Sequence, residues 1–442
     1  MGSPRLDEQM ILNDITNKVL PAPLLRVVRL IGREASNAGI DVYLVGGIVR
    51  DMLLGRKNLD LDIVVEGNAL GFGHELKSVF GGTLVEHKRF GTASLFISRP
   101  GSAGRIDIAA ARREKYEKPA ALPAVEFAQL KDDLYRRDFT INAMAVKIEP
   151  GGLGALIDMF GGRDDLKKGF IRALHDRSFI DDPTRIFRAV RFEQRFGFKI
   201  ELRTGYLIRD AASRGMVRLT EAQRIREELI LICREEKPEK AVLRMRDLHE
   251  LVFIHKDLSF SGTLGRMFAV SRSLVKWYGV FIKSPAGIEV WIINFLIMID
   301  SLGVKETREV TDKFVFSNDD RNKILSFKEN RDNVRRHLER DGKMLPSEVC
   351  GVLRPLSDEV ILSIMARSRP GVLRERCRKY LRSYRDIKLK VTGDDLIKLG
   401  LPRGPRYREI LKKALSAKLD GKLPGKADEL RYLEKNVTQN TP

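Results

Sequence analysis

The chain is poor in cysteine, in long apolar runs and in acid. Cys233, Cys350 and Cys377 are its three cysteines, far apart, with no C-x-x-C and no neighbouring histidine. Such spacing supplies neither a zinc site nor a disulfide framework, and it suits a reducing cytoplasm. The most apolar run, residues 290–299, is broken by Asn294 and closed by Asp300. It is too short to span a bilayer and reads as a buried helix, so no membrane association is expected. No secretory leader is visible. Met1-Gly2-Ser3 reads as a cloning remnant, which leaves open that this is the catalytic end of a longer protein. Acid is the scarcer charge: 60 Asp and Glu stand against 80 Lys and Arg, a formal net charge of +20. The basic excess comes in clusters, which points to nucleic acid more than to general solubility.

At 442 residues the chain is too long for one core and is expected to divide into two to four units. Helical periodicity covers 24–39. Short strands are expected at 42–45, 61–65, 83–86, 93–97, 105–108, 141–148 and 155–158, with helical pieces at 49–54 and 69–80. That is an α+β arrangement. Residues 110–133 carry two prolines and mixed charge, and a mobile loop is expected there. Beyond Gly161-Gly162 the chain reads as helical to its end, with helices at 181–196, 203–214, 220–233 and 238–248 and Arg-dense faces such as 372–382.

Chemistry concentrates in a few segments. Asp60 and Asp62 alternate into an apolar strand, so both carboxylates point to one face and can hold divalent metal between them. Gly46-Gly47 stands at a strand-to-helix junction, where glycines let a triphosphate approach backbone N–H groups. A phosphate cradle beside an acidic pair is the equipment of nucleotidyl transfer. Asp107, in Arg105-Ile106-Asp107-Ile108, is either a third metal acid on a neighbouring strand or a solvated strand residue. Arg136-Arg137-Asp138, followed by Asn142, reads as a surface ion-pair patch or as groups for phosphate and ribose. Asp182 and Arg185 lie three apart on a helix that Pro183 is expected to open. They form a cap with an intrahelical ion pair, or offer acceptor and donor to a base edge.

Taken together, these segments resemble the class II tRNA nucleotidyltransferase and poly(A) polymerase family. Gly46-Gly47-x-x-Arg50-Asp51 with Asp60-x-Asp62 resembles its motif A, and Arg136-Arg137-Asp138 its motif B, which in the family selects ribose. Asp158-x-x-Gly161-Gly162-x-x-Asp165-Leu166 resembles the hinge motif C. Asp181-Asp182-x-x-Arg185 resembles motif D, usually Glu-Asp-x-x-Arg, in which the Asp and Arg read the incoming base. Arg224-Ile225-x-x-Glu228-Leu229 resembles motif E, which braces the neck. The one departure is Asp181 in place of Glu, and it bears on the choice between CTP and ATP.

The resemblance implies a polymerase-β-like nucleotidyltransferase head with a mixed sheet, followed by an all-α neck, body and tail. The expected divisions are an extension at 1–24, head 25–160, neck 161–250, body 251–340 and tail 341–442. It implies two Mg²⁺ ions on Asp60 and Asp62, with Asp107 as a third catalytic acid. Gly46, Gly47, Arg50, Asp51, Arg136, Arg137, Asp138, Asn142, Asp182, Arg185 and Arg188 would bind nucleotide: ATP, and possibly CTP as well. The partner would be the acceptor–TΨC arm of tRNA, gripped in part by Gly-containing turns at 393–405. Terminal A addition is slightly favoured over full CCA addition by the wording of residues 111–123. Poly(A) synthesis ranks third, and CC-only addition is disfavoured by the 110–133 loop. Two other classes stay open: an antibiotic-modifying nucleotidyltransferase, which leaves the basic helical half without purpose, and an RNA-binding protein with a dead head, which the intact Asp60, Asp62 and Arg50 oppose.

Overall fold

The computed structural model describes residues 19–97, 104–248, 253–282, 287–400 and 404–438. The chain forms two compact units, divided between Glu228 and Leu229. Most of the expected N-terminal extension, residues 1–18, lies outside the described residues.

The first unit is built on a seven-stranded sheet in the order β3-β4-β5-β2-β1-β8-β9. Its strands are β1 (Asp41–Val45), β2 (Leu61–Glu66), β3 (Thr83–His87), β4 (Thr92–Phe96), β5 (Arg105–Ala110), β8 (Met144–Glu149) and β9 (Gly152–Asp158). Only the β2–β5 pair is parallel; the other pairs are antiparallel, so the sheet is mixed. Val42 to Val45 and Ile63 to Val65 are continuously buried, as expected of central strands covered on both faces. Helix α1 (Ala22–Ala38) packs Leu24, Val27, Val28, Ile31 and Ala35 inward and stops at Gly39, whose φ of 66° closes the last turn. Helices α2 (Gly47–Leu53) and α3 (Ala69–Phe80) fall where the sequence pattern puts them.

Residues 110–133 do not form a loop. They build a hairpin of β6 (Arg112–Lys115) and β7 (Ala124–Phe127), followed by helix α4 (Leu130–Tyr135). Ala120, in the proline-flanked turn, is buried, and its N–H donates to the Ile180 carbonyl at 3.1 Å. The hairpin escapes sequence reading because Arg112-Arg113-Glu114-Lys115 has no apolar alternation. It is held by backbone pairing and by ion pairs such as Lys115–Glu126 at 2.7 Å. The strand expected at 141–148 starts only at Met144, because Thr140–Asn142 is a 3₁₀ turn.

Helix α5 (Gly162–Lys168) opens where Asp158 accepts the N–H groups of Gly162 and Arg163 at 2.8 and 2.9 Å. Helices α6 (Ser178–Asp181) and α7 (Thr184–Phe196) follow.

The second unit is helical. Val290–Met298 is buried from Trp291 to Met298, as a core helix should be. Lys328 closes the turn beyond it, its ammonium donating to the carbonyls of Ile299, Asp300 and Leu302 at 2.6, 3.1 and 3.0 Å. No described helix is long and apolar enough to cross a membrane. All three cysteines are buried free thiols. At the C-terminal end Val391, Leu396, Ile410, Ala414, Ala417, Leu423 and Leu433 form a separate small core. Buried Glu429 fastens it by accepting the N–H groups of Lys390 and Val391 at 2.7 and 3.0 Å and pairing with Lys418. Of the turns expected at 393–405, Gly393–Lys398 is instead a short helix, Gly400 with a φ of 82° is a turn, and residues 401–403 lie outside the described residues.

Candidate active site

The parallel register of β2 and β5 sets Asp62 directly beside Asp107, on the same face. Asp60 is exposed, just ahead of β2. Asp107 is steadied by Ser94 Oγ at 2.5 Å and Arg105 Nε at 2.8 Å, both donating to Oδ1. Burial pushes the Asp62 carboxyl up to about 6, with the charge of Asp107 and then Asp60 acting the same way, while Arg137 opposes them. Negative potential thus converges on a set of hard oxygen donors, the donor type that suits a divalent cation such as Mg²⁺. The head acids are more widely spaced than a second acidic group, Glu289, Asp319 and Asp320, whose carboxylate oxygens lie within 4.8 Å of one another. That group has its own cation: Lys323 Nζ is 3.0 Å from Asp319 and 3.4 Å from Glu289.

Gly46 has a φ of 76°, and a Cβ there would come 2.9 Å from Arg137 Nη1. Only glycine accepts both the conformation and the close approach. Arg137 therefore lies against the Gly46 backbone within electrostatic reach of Asp62, and motifs A and B meet at this point. Its neighbour Arg136 turns elsewhere, pairing with Glu114 of β6 at 2.9 Å. Asp133, fully buried, holds both: Oδ1 is 2.7 Å from Arg136 Nη2 and Oδ2 is 2.9 Å from Arg137 Nη2. Burial disfavours its charge, but the Arg137 and Arg136 guanidiniums outweigh burial and hold the carboxyl below its ordinary range.

Arg50 does not face the cradle openly. It is buried over the Phe196 ring at 4.6 Å, with Nε and Nη2 donating to Asp51 at 2.9 and 3.0 Å and Nη1 to Asn142 Oδ1 at 2.7 Å. Asn142 Nδ2 donates to Asp138 Oδ1 at 2.9 Å. Asp138 Oδ2 receives Arg188 Nε at 2.8 Å, and Arg188 continues to Glu228 at 3.3 Å. Burial works against the Asp138 charge, yet Arg188 and Asn142 bring its carboxyl down to about 2. Five of the expected nucleotide-binding residues, Arg50, Asp51, Asp138, Asn142 and Arg188, thus form one relay, buried at Arg50, Asp138 and Asn142 and half-buried at Asp51 and Arg188.

Asp182 and Arg185 are not paired with each other. Helix α7 begins at Thr184, one residue later than expected, and Asp182 Oδ1 accepts both the N–H and Oγ1 of Thr184, at 3.1 and 2.6 Å. The cation on Asp182 is Arg224 at 2.8 Å, which sequence spacing from Asp182 to Arg185 does not reveal. Arg185 is buried and donates to Ser178 Oγ at 2.7 Å and to the Arg136 carbonyl at 2.6 Å. Asp181, the departure from motif D, is buried and paired with Arg177 at 3.0 Å. Residues that sequence reading missed are Asp133, Glu114 and Asn58. Asp133 had a usable signal, since it stands three and four residues before the two motif arginines.

Known proteins resemble the chain over most of its length. Residues 42–172 match the family model described as the poly A polymerase head domain. Over 435 residues the chain is 31% identical to the A-adding tRNA nucleotidyltransferase of Halalkalibacterium halodurans, covering 98% of this chain and 97% of that protein. The chain belongs to the tRNA nucleotidyltransferase family. It is also 39% identical over 421 residues to the A-adding tRNA nucleotidyltransferase of Geobacter sulfurreducens, covering 94% of this chain and 47% of that protein. It therefore spans about half the length of that relative. The Thermotoga maritima CCA-adding enzyme complexed with tRNA superposes with a TM-score of 0.70 at 34% identity, covering 96% of this chain and 98% of that one. The polymerase-β-like head followed by helices, which the resemblance implied, is the architecture of this chain.

Proposed function

We propose that the chain adds the terminal A to tRNA ending in CC, without a nucleic-acid template, using ATP. The observation that carries this is the meeting of Asp62, Asp107, Arg137 and Gly46 in a chain that aligns from end to end with an A-adding relative. The tRNA 3′-hydroxyl attacks the α-phosphate, and pyrophosphate leaves. Arg137, lying on the Gly46 backbone, would meet the triphosphate. The Asp51–Arg50–Asn142–Asp138–Arg188 relay fixes α2 and the motif B segment around it. Asp60 and Asp62 would hold Mg²⁺, which when bound lowers the pKa of the attacking hydroxyl and offsets charge on the leaving group. Asp182, Arg185 and Arg224 form the polar group that would meet the base. A reducing cytoplasm is the compartment that suits ATP, tRNA and free buried thiols together.

Full CCA addition is the second reading, favoured by the superposition on a CCA-adding enzyme across nearly the whole chain. Poly(A) synthesis is third. One assay separates them: tRNA transcripts ending before CCA, after C and after CC, each given CTP or ATP. A-addition extends only the last, only with ATP, and by one residue. Extension of the first with CTP together with extension of the last with ATP establishes CCA addition, and a long tail of A on any of the transcripts establishes poly(A) synthesis.

Asp182→Ala and Arg185→Ala should disturb base choice more than chemistry, costing roughly 1–3 kcal/mol of discrimination. Rates with ATP, CTP, GTP and UTP give the ratio. If neither variant alters it, the residues serve only the cap and the Arg136 carbonyl.

The C-terminal core carries a shallow groove of about 490 Å³ lined by Lys412, Lys413 and Lys422 together with the acids Glu409 and Asp420. A chain ending before Lys390 should bind tRNA more weakly and with a shallower salt dependence, because fewer counterions are released, while ATP affinity stays unchanged. An unchanged salt slope in the folded truncation would move the RNA surface elsewhere.

A further inference from the structure

Asn58 stands in the loop that joins α2 to β2. Its Nδ2 donates to Asp51 Oδ2 at 2.8 Å, and its Oδ1 accepts the Asp60 backbone N–H at 2.9 Å. The second bond closes an Asx turn, in which a side chain does the work of a backbone carbonyl two residues back. Asp51 is held at both oxygens by Arg50, which is itself buried and tied to Asn142. A Cβ at Gly47 would lie 3.8 Å from Asn58 Nδ2, so the same amide also rests against the glycine cradle. Arg56 is tied back to α2, its N–H donating to the Asp51 carbonyl at 2.8 Å and its guanidinium lying over the Phe196 ring at 4.9 Å, whereas Lys57, Leu59 and Asp60, between that anchor and β2, are exposed.

We propose that Asn58 is a positioning residue for Asp60: it fixes the spacing between the acid at the start of β2 and the Gly46-Gly47 cradle. The inference rests on the reading of Asp60 and Asp62 as metal-holding acids. The chemistry asks for this residue type. One side chain must present an acceptor to the Asp60 N–H and a donor to the Asp51 carboxylate. Aspartate keeps the first and sets a second carboxylate against Asp51. Alanine supplies neither. An exposed carboxylate whose backbone is loose must be ordered before it can ligate, and that ordering is subtracted from metal affinity.

The test uses the full chain and Mn²⁺ as probe, followed by electron paramagnetic resonance, in the wild type, Asn58→Ala, Asn58→Asp and Asp62→Asn. Asn58→Ala and Asn58→Asp should each weaken Mn²⁺ binding roughly 10- to 100-fold. The Mg²⁺ concentration for half-maximal transfer should rise in parallel, and the KM for tRNA should stay at its wild-type value. A purely structural asparagine would instead lower the unfolding midpoint and leave Mn²⁺ affinity alone. Affinity within twofold of wild type in Asn58→Ala overturns the proposal. Mn²⁺ binding that survives Asp62→Asn overturns the metal reading of the acids, and the role of Asn58 with it.

Discussion

Asp62→Asn is expected to abolish transfer and, in the same protein without metal, to raise stability at neutral pH. The first effect follows from the loss of a carboxylate that a divalent ion needs. The second follows from linkage. The Asp62 carboxyl in the fold sits at about 6, against 3.8 for an unperturbed group. The folded state therefore binds the proton more tightly than the unfolded chain. That advantage is complete below the unfolded value and is lost as pH rises through about 6, so at pH 7 the ionised group costs stability. A tenfold difference in proton affinity between the two states corresponds to about 1.4 kcal/mol. Asp62 is not wholly buried, and solvent screening reduces the figure to roughly 1–2 kcal/mol. Urea unfolding in EDTA at pH 7 should show Asp62→Asn more stable by that amount, and the difference should shrink between pH 6 and pH 4. A variant that is inactive but no more stable would mean that Asp62 carries no excess negative potential.

Asp133→Ala should be severely damaging, costing about 3–5 kcal/mol, because it removes a fully buried carboxylate and leaves the half-buried Arg137 guanidinium without its counter-charge. Arg136 would keep Glu114, but Arg137 would lose the carboxylate that holds it against Gly46. The same change should therefore raise the KM for ATP in whatever fraction folds. Asp133→Asn, which keeps the volume and one acceptor, should fall between. A change in the urea midpoint equivalent to less than about 1 kcal/mol, at constant slope, would show that Asp133 does not hold the two arginines.

What the sequence reveals and what it hides follow from how far each interaction reaches. β1, β2 and α3 declare themselves through local apolar pattern, and the acids of motif A through alternation on one strand. Asp107 stays ambiguous in sequence because only the pairing of β2 with β5 sets it beside Asp62. Lys131-Asp132-Asp133 looks like solvent-facing charge, since nothing local shows that the third of these is buried under two arginines. The spacing of Asp182 and Arg185 suggests an ion pair, but a helix some forty residues further on supplies Arg224 instead. Arg50 is visible as a motif residue, whereas its inward engagement depends on Asn142 and Phe196, which come from distant segments.

The strand order also sets a timetable for biosynthesis. β1 lies mid-sheet between β2 and β8, and β8 is made long after it. The ribosome delivers Asp62 and then Asp107 before it delivers Arg137, so a nascent head holds its repelling carboxylates before their relief arrives. Such a sheet closes late, since distant strands must meet before the gain is felt. The C-terminal core, drawn from residues 391–433 alone, carries no such debt to earlier segments. It is expected to fold as soon as it emerges, among the quickest parts to settle.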